Sequence, residues 1–126
     1  MQKEDAGKYT DAKPNFIQPN ALKGQTIIPK NEILGNYATA FGGYAAATGK
    51  RSLAEGTTTW ALGDYSHAEG NNSVSEGHNS HAEGKDTWAV AINSHTEGEL
   101  TTASGNTSHA EGQGTKALSK NSHAEG

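Results

Sequence analysis

The string Ser-His-Ala-Glu-Gly occurs at residues 66–70, 80–84, 108–112 and 122–126, and Ser94-His95-Thr96-Glu97-Gly98 is a fifth, imperfect copy. The copies start 14 residues apart every time. Internal repetition of this kind decides architecture before any local propensity does. The frame is finer than the motif. Residues 36–126 divide into 13 seven-residue units without one insertion, from NYATAFG at 36–42 to KNSHAEG at 120–126. Position 3 is Ala, Ser or Thr in all 13. Position 5 is Ala in 11, with Ser75 and Thr96 the exceptions, and position 7 is Gly in 11, with Ala91 and Ser119 the exceptions.

Small residues at 3 and 5, variable ones at 4 and 6 and Gly at 7 make a period of two. That is a short strand with one face of small side chains. Gly is expected to end the strand, where positive φ or a close backbone approach is needed. Units alternate between the SHAEG type and the TWAL or SVSE type. Fourteen residues therefore form one coil of two strands and two turns, and stacked coils pair in register about 4.8 Å apart. A heptad also suggests a coiled coil, but that needs large apolar residues at a and d. A Gly in every heptad would cost a helix about 1 kcal/mol per copy.

In this reading Ala40, Ala47, Ala54, Ala61, Ala68, Ala82 and Ala89 fill the interior with their Ser and Thr neighbours. Only 32% of residues are apolar and mean hydropathy is −0.78, so a conventional core is excluded. Small side chains bury little area, and at about 25 cal/mol per Å² they offset little chain entropy. The expectation is an obligate oligomer in which outward columns supply the missing burial.

The in-phase pattern Ser-x-Ala-x-Gly resembles the head repeats of YadA-like trimeric autotransporter adhesins, whose strand reads Asn-Ser-Val-Ala-Ile-Gly. The resemblance covers residues 36–126. It implies an all-β, left-handed parallel β-roll, a solenoid of 14-residue coils, assembled as a parallel homotrimer. In that family the Val and Ile columns face the trimer axis. Carried over, the axial columns are His67 with Glu69, His81 with Glu83, His95 with Glu97, His109 with Glu111 and His123 with Glu125. The Ser-His-Ala-Glu-Gly wording itself looks like repeats of phage tail and tail-fibre proteins. The resemblance thus implies first a structural fibre or head segment of a phage tail fibre or phage-like receptor-binding protein, extracellular or on the virion. The alternative is the head of a bacterial surface adhesin that binds host matrix.

Enzymatic chemistry finds no footing. Cysteine is absent, which removes the Pro-Cys-x-x-Cys half of the zinc deaminase signature. There is no His-Glu-x-x-His, Gly-x-Ser-x-Gly or phosphate-binding loop. Asp64 and Asp86 are the only aspartates of the array, too few for calcium-binding β-roll repeats. Five copies of one His-Glu pair also differ from the asymmetric constellation that catalysis uses. No cofactor and no resident metal is assigned. Pairing of His with Glu between chains is the plain account of the columns, and metal capture by rings of axial imidazoles is an alternative function. The outer column of the second strand carries Trp60 and Trp88, either covering a seam between chains or offering a glycan or receptor contact. A net charge of −4 without a basic stripe excludes nucleic acid as a partner. No apolar run is long enough for membrane insertion of this segment.

Residues 1–35 differ from the array. Pro14, Pro19 and Pro29 fall here, with Phe16-Ile17 and Ile27-Ile28. This part is expected to be a leader, a cap on the first coil or an adaptor. Met1–Thr10 is polar and does not read as a secretory signal. Gly126 closes a unit, as a cut inside a longer array would.

Overall fold

A computed structural model describes residues 34–126; the segment expected as leader, cap or adaptor lies, up to residue 33, outside the described residues. The array is a parallel β-solenoid of 14-residue coils. Strands β1 (Thr39–Phe41), β3 (Leu53–Thr57), β5 (His67–Asn71), β7 (His81–Lys85), β9 (His95–Glu99), β11 (His109–Gln113) and β13 (His123–Glu125) form one sheet in that order. Strands β2 (Ala46–Ala47), β4 (Trp60–Ala61), β6 (Val74–Ser75), β8 (Trp88–Ala89), β10 (Thr102–Ala103) and β12 (Lys116–Ala117) form the other. Every pairing is parallel and shifts by one coil, as in Ala54 beside Ala68 and Trp60 beside Val74. Among the described residues no helix is long and apolar enough to cross a membrane.

Position 5 points inward, as its small size requires. Ala47, Ala54, Ala61, Ala68, Ala82, Ala89, Ala103 and Ala110 are fully buried, and the exceptions Ser75 and Thr96 are equally buried. Position 3 joins them, and the structure explains its own alternation. In units of the long-strand sheet the residue is Ser from Ser52 onward, with Ala38 in the first. The Ser hydroxyl donates to the carbonyl three residues back, as Ser52 to Gly49 at 2.7 Å, Ser80 to Gly77 at 2.6 Å and Ser108 to Gly105 at 2.6 Å. That carbonyl also accepts the N–H of the same serine, as in Ser80 to Gly77 at 3.2 Å. The short side chain thus fastens the tight turn from inside. The other corner holds Thr59, Thr87 and Thr101, fully buried, where the extra methyl fills space.

The positive φ and close approach expected of the repeated glycines are present, but their place relative to the strand differs. Gly does not end the long strands. Gly56, Gly70, Gly84, Gly98 and Gly112 are their fourth residues, with φ between +103° and +120°. The left-handed turn residue is instead position 2 of each unit, which is mostly not Gly: Tyr65 (φ 60°), Asn79 (58°), Asn93 (57°) and Leu100 (60°) are examples. Such a conformation normally costs an L-residue about 1–2 kcal/mol, less for Asn and Asp. Here it turns the N–H along the stack. Tyr65 donates to the Lys50 carbonyl one coil away at 2.8 Å, Asn79 to Asp64 at 2.9 Å and Asn93 to His78 at 2.9 Å. An otherwise stranded donor at every corner is thereby satisfied.

Close approach accounts for the glycines that follow the short strands. A Cβ on Gly63 or Gly77 would strike the carbonyl of the next coil, although φ is not positive there. Both exceptions in this column, Ala91 and Ser119, occupy that second class of turn, where φ is not positive. Gly35 already belongs to the stack, donating to the Ala47 carbonyl at 3.0 Å.

Two measurements check this account. Ala82→Leu must fit a side chain into a gap built for a methyl, and overpacking costs about 1–3 kcal/mol; the thermal midpoint falls, and an unchanged midpoint means position 5 does not point inward. Gly84→Ala combines the clash with a backbone conformation reserved for Gly, worth about 1–3 kcal/mol in itself. It therefore lowers the denaturation midpoint more than Gly77→Ala, whose column accepts Ala91.

Candidate functional site

The outward face of the long-strand sheet carries two ladders, because positions 4 and 6 alternate with the buried column. One runs Thr39, Leu53, His67, His81, His95, His109, His123; the other runs Phe41, Glu55, Glu69, Glu83, Glu97, Glu111, Glu125. All ten residues expected in the axial columns fall on this one face. Parallel in-register pairing sets like beside like, so the five imidazoles stack. Successive ring centroids are 4.6, 4.9, 4.6 and 4.8 Å apart, with planes within 8° of parallel.

Within the single chain the charge pairs run along the ladder, from each His to the Glu of the preceding coil. His67 Nε2 is 2.9 Å from Glu55 Oε2, His81 Nε2 is 2.9 Å from Glu69 Oε2 and His95 Nε2 is 3.1 Å from Glu83 Oε2. An ionised carboxylate only accepts, so Nε2 carries the proton in these pairs. His67 is farther, 3.9 Å, from Glu69 on its own strand. Further along, the pattern splits. His109 Nε2 lies 3.5 Å from Glu97 and 3.3 Å from Glu111, and His123 Nε2 lies 3.5 Å from both Glu111 and Glu125. Glu55 was missed in the sequence. The signal was present in Ala54-Glu55-Gly56, the end of a unit that has Leu53 in place of His.

The ladder is half-buried in the single chain. His67, His81, His95 and His109 keep about a third of their side-chain surface exposed. Partial burial pushes the Glu83 carboxyl up. The hydrogen bond from His95, the charges of His81 and His95, and a hydrogen bond shared with Glu97 outweigh it, so the pKa ends below its ordinary value.

Trp60 and Trp88 stand on the outward face of the short-strand sheet, with Val74 between them in the same column. Both are about half exposed, at 46% and 51%. Leu62 and Val90 flank them and are also exposed. Beside Trp88 a shallow groove is lined by Asn72, Asp86, Leu100, Thr102 and Lys116. Off the ladder, the remaining histidine, His78, lies 3.9 Å from Asp64.

A stacked, small-cored solenoid with variable outward columns has a counterpart among known families. Two overlapping stretches of this chain are similar to the YadA head domain repeat. They are residues 34–59 and 54–80. No curated protein and no solved structure matches the chain. YadA head repeats are structural adhesin modules and not catalytic ones; the family is trimeric, and its heads are exposed outside the cell. The matched repeats end at residue 80, while the same pairing continues to Glu125. The coils that carry most of the His-Glu ladder are thus geometrically continuous with the matched repeats.

The pH response follows from Glu83. A carboxylate with a lowered folded pKa contributes stability above its unfolded value, near 4.5, and loses it as pH falls through the folded value. In chelator-treated buffer the parent is therefore more stable than Glu83→Gln at pH 6, and thermal melts of the two converge as pH falls below about 4. A gap that stays constant down to pH 3 means the carboxylate is not held by His81 and His95.

Proposed function

We propose that this chain is a head-type module of a trimeric surface adhesin, a non-catalytic, left-handed roll that assembles in parallel on the outside of a bacterial cell. The observation that carries the reading is the unbroken in-register stack of coils with an Ala, Ser and Thr interior, two of whose repeats match the YadA head model. The phage tail-fibre placement rests on the Ser-His-Ala-Glu-Gly wording alone, and the family match favours the adhesin head.

The trimer is supported by what the single chain leaves undone. Its buried side chains are Ala, Ser and Thr, which bury too little apolar area to stabilise a small domain alone. Meanwhile Trp60, Leu62, Trp88 and Val90 remain exposed on one face and the His-Glu ladder stays half-exposed on the other. In the proposed assembly the ladder, His67 to Glu125, faces the axis, where pairs already made within each chain limit the desolvation cost of bringing three ladders together. The Trp face then covers a seam between neighbours or meets a host glycan or matrix protein.

Light scattering or native mass spectrometry at micromolar concentration is expected to report three chains, and a well-folded monomer overturns the assembly. Trp60→Ala with Trp88→Ala separates the two roles of that face. Loss of the trimer marks a seam, while an intact trimer that no longer adheres to immobilised matrix marks a contact surface.

A further inference from the structure

The ladder brings nitrogen and oxygen donors together in a repeating way. His67, Glu69 and His81 place one ligand atom each within 4.8 Å of one another, and so do the three successive groups up to His109, Glu111 and His123. Imidazole with carboxylate suits Zn²⁺, Co²⁺, Ni²⁺ or Cu²⁺, whereas Mg²⁺ and Ca²⁺ prefer oxygen alone. The spacing is already that of a chelate. Two ligands held at about 2.0–2.1 Å from one ion lie about 2.9–3.4 Å apart, and the Nε2 to carboxylate distances run from 2.9 to 3.5 Å.

Ring geometry narrows the donor set. Adjacent imidazoles are within 8° of parallel, so their in-plane lone pairs run side by side and do not converge. Two histidines of one chain therefore do not share an ion. Each site takes one imidazole and the carboxylates that flank it.

One position stands apart. His109 Nε2 is buried and has no hydrogen-bond partner, although Glu97 and Glu111 lie 3.5 and 3.3 Å away on either side. At His67, His81 and His95 the same atom makes a hydrogen bond to one carboxylate. A buried nitrogen between two carboxylates that it does not hydrogen-bond is a polar group awaiting a partner. We infer that His109, Glu97 and Glu111 form a binding site for a divalent transition-metal ion, the first to fill on this ladder. The ion binds the Nε2 lone pair of the neutral imidazole, whose one ring proton then sits on Nδ1. Two carboxylates neutralise its charge, and water or a neighbouring chain completes its coordination. Neighbouring positions repeat at the ring spacing of less than 5 Å, so ions in adjacent coils repel and later steps bind more weakly. All three ligands come from one chain, so the site stands whether or not the trimer does.

The test uses the full chain stripped with chelator and titrated with Co²⁺ by its visible absorption, then with Zn²⁺ by calorimetry. Light scattering on the same sample reports assembly separately. A first binding step is expected that Mg²⁺ in large excess does not displace. His109→Gln weakens it at least tenfold, Glu111→Gln weakens it with the fold unchanged by circular dichroism, and His78→Gln, off the ladder, leaves it as it was. Should His109→Gln fail to fold, Glu97→Gln with Glu111→Gln takes its place. Absence of Co²⁺ and Zn²⁺ binding overturns the inference, as does a first step insensitive to these substitutions or equally weakened by His78→Gln.

Discussion

Two parallel sheets stand one small side chain apart, and the gap between them governs everything else in this molecule. Ala fills most of it, and Ser or Thr fill the rest. No buried side chain among the described residues is larger than Thr, so the inward columns leave little room for added volume. The backbone must then supply the cohesion that side-chain burial cannot. It does so through strand pairing and through corner N–H groups, such as that of Tyr65, that reach the coil beyond. The left-handed corners are the conformational cost of that arrangement, and Asn or Asp at several of them keeps it low.

Once the core is reduced to a column of methyls, the outward columns are free to vary, and like stacks on like. For a hydroxyl or an amide this is harmless. For histidine and glutamate it sets like charges beside each other, and the diagonal pair from each His to the preceding Glu relieves this. At His67 the diagonal to Glu55 is shorter than the path along its own strand to Glu69, whereas at His109 the own-strand Glu111 is the nearer. The relief is unequal along the stack. Where the imidazole is shared between two carboxylates, as at His109, neither hydrogen bond forms, and the ladder has there its least satisfied nitrogen.

The two faces divide the chemistry of the chain. The long-strand sheet is regular, ionisable and half-buried. The short-strand sheet varies from coil to coil, with Trp60, Val74, Trp88, Thr102 and Lys116 in one column. A repeated face suits contact with copies of itself, whereas a varied one suits recognition or a seam of specific register.

The sequence by itself determined the period, the inward column and the company of the two ladders. A frame of seven residues held without insertion leaves only one register, because a shift of one residue would send every Ala outward and every His inward. That is why Ala82 and Thr96 were readable as interior and His81 as outward. The tertiary structure alone decided where the chain bends and which atoms meet. Gly84 proved to lie inside a strand, and the left-handed residue proved to be Asn79 or Tyr65, because the corner is placed by the hydrogen bond to the neighbouring coil, which is 15 residues away in sequence. Glu55 and the unsatisfied His109 nitrogen have the same origin. Each depends on the diagonal offset between successive coils, a distance in space that the spacing of residues along the chain does not contain.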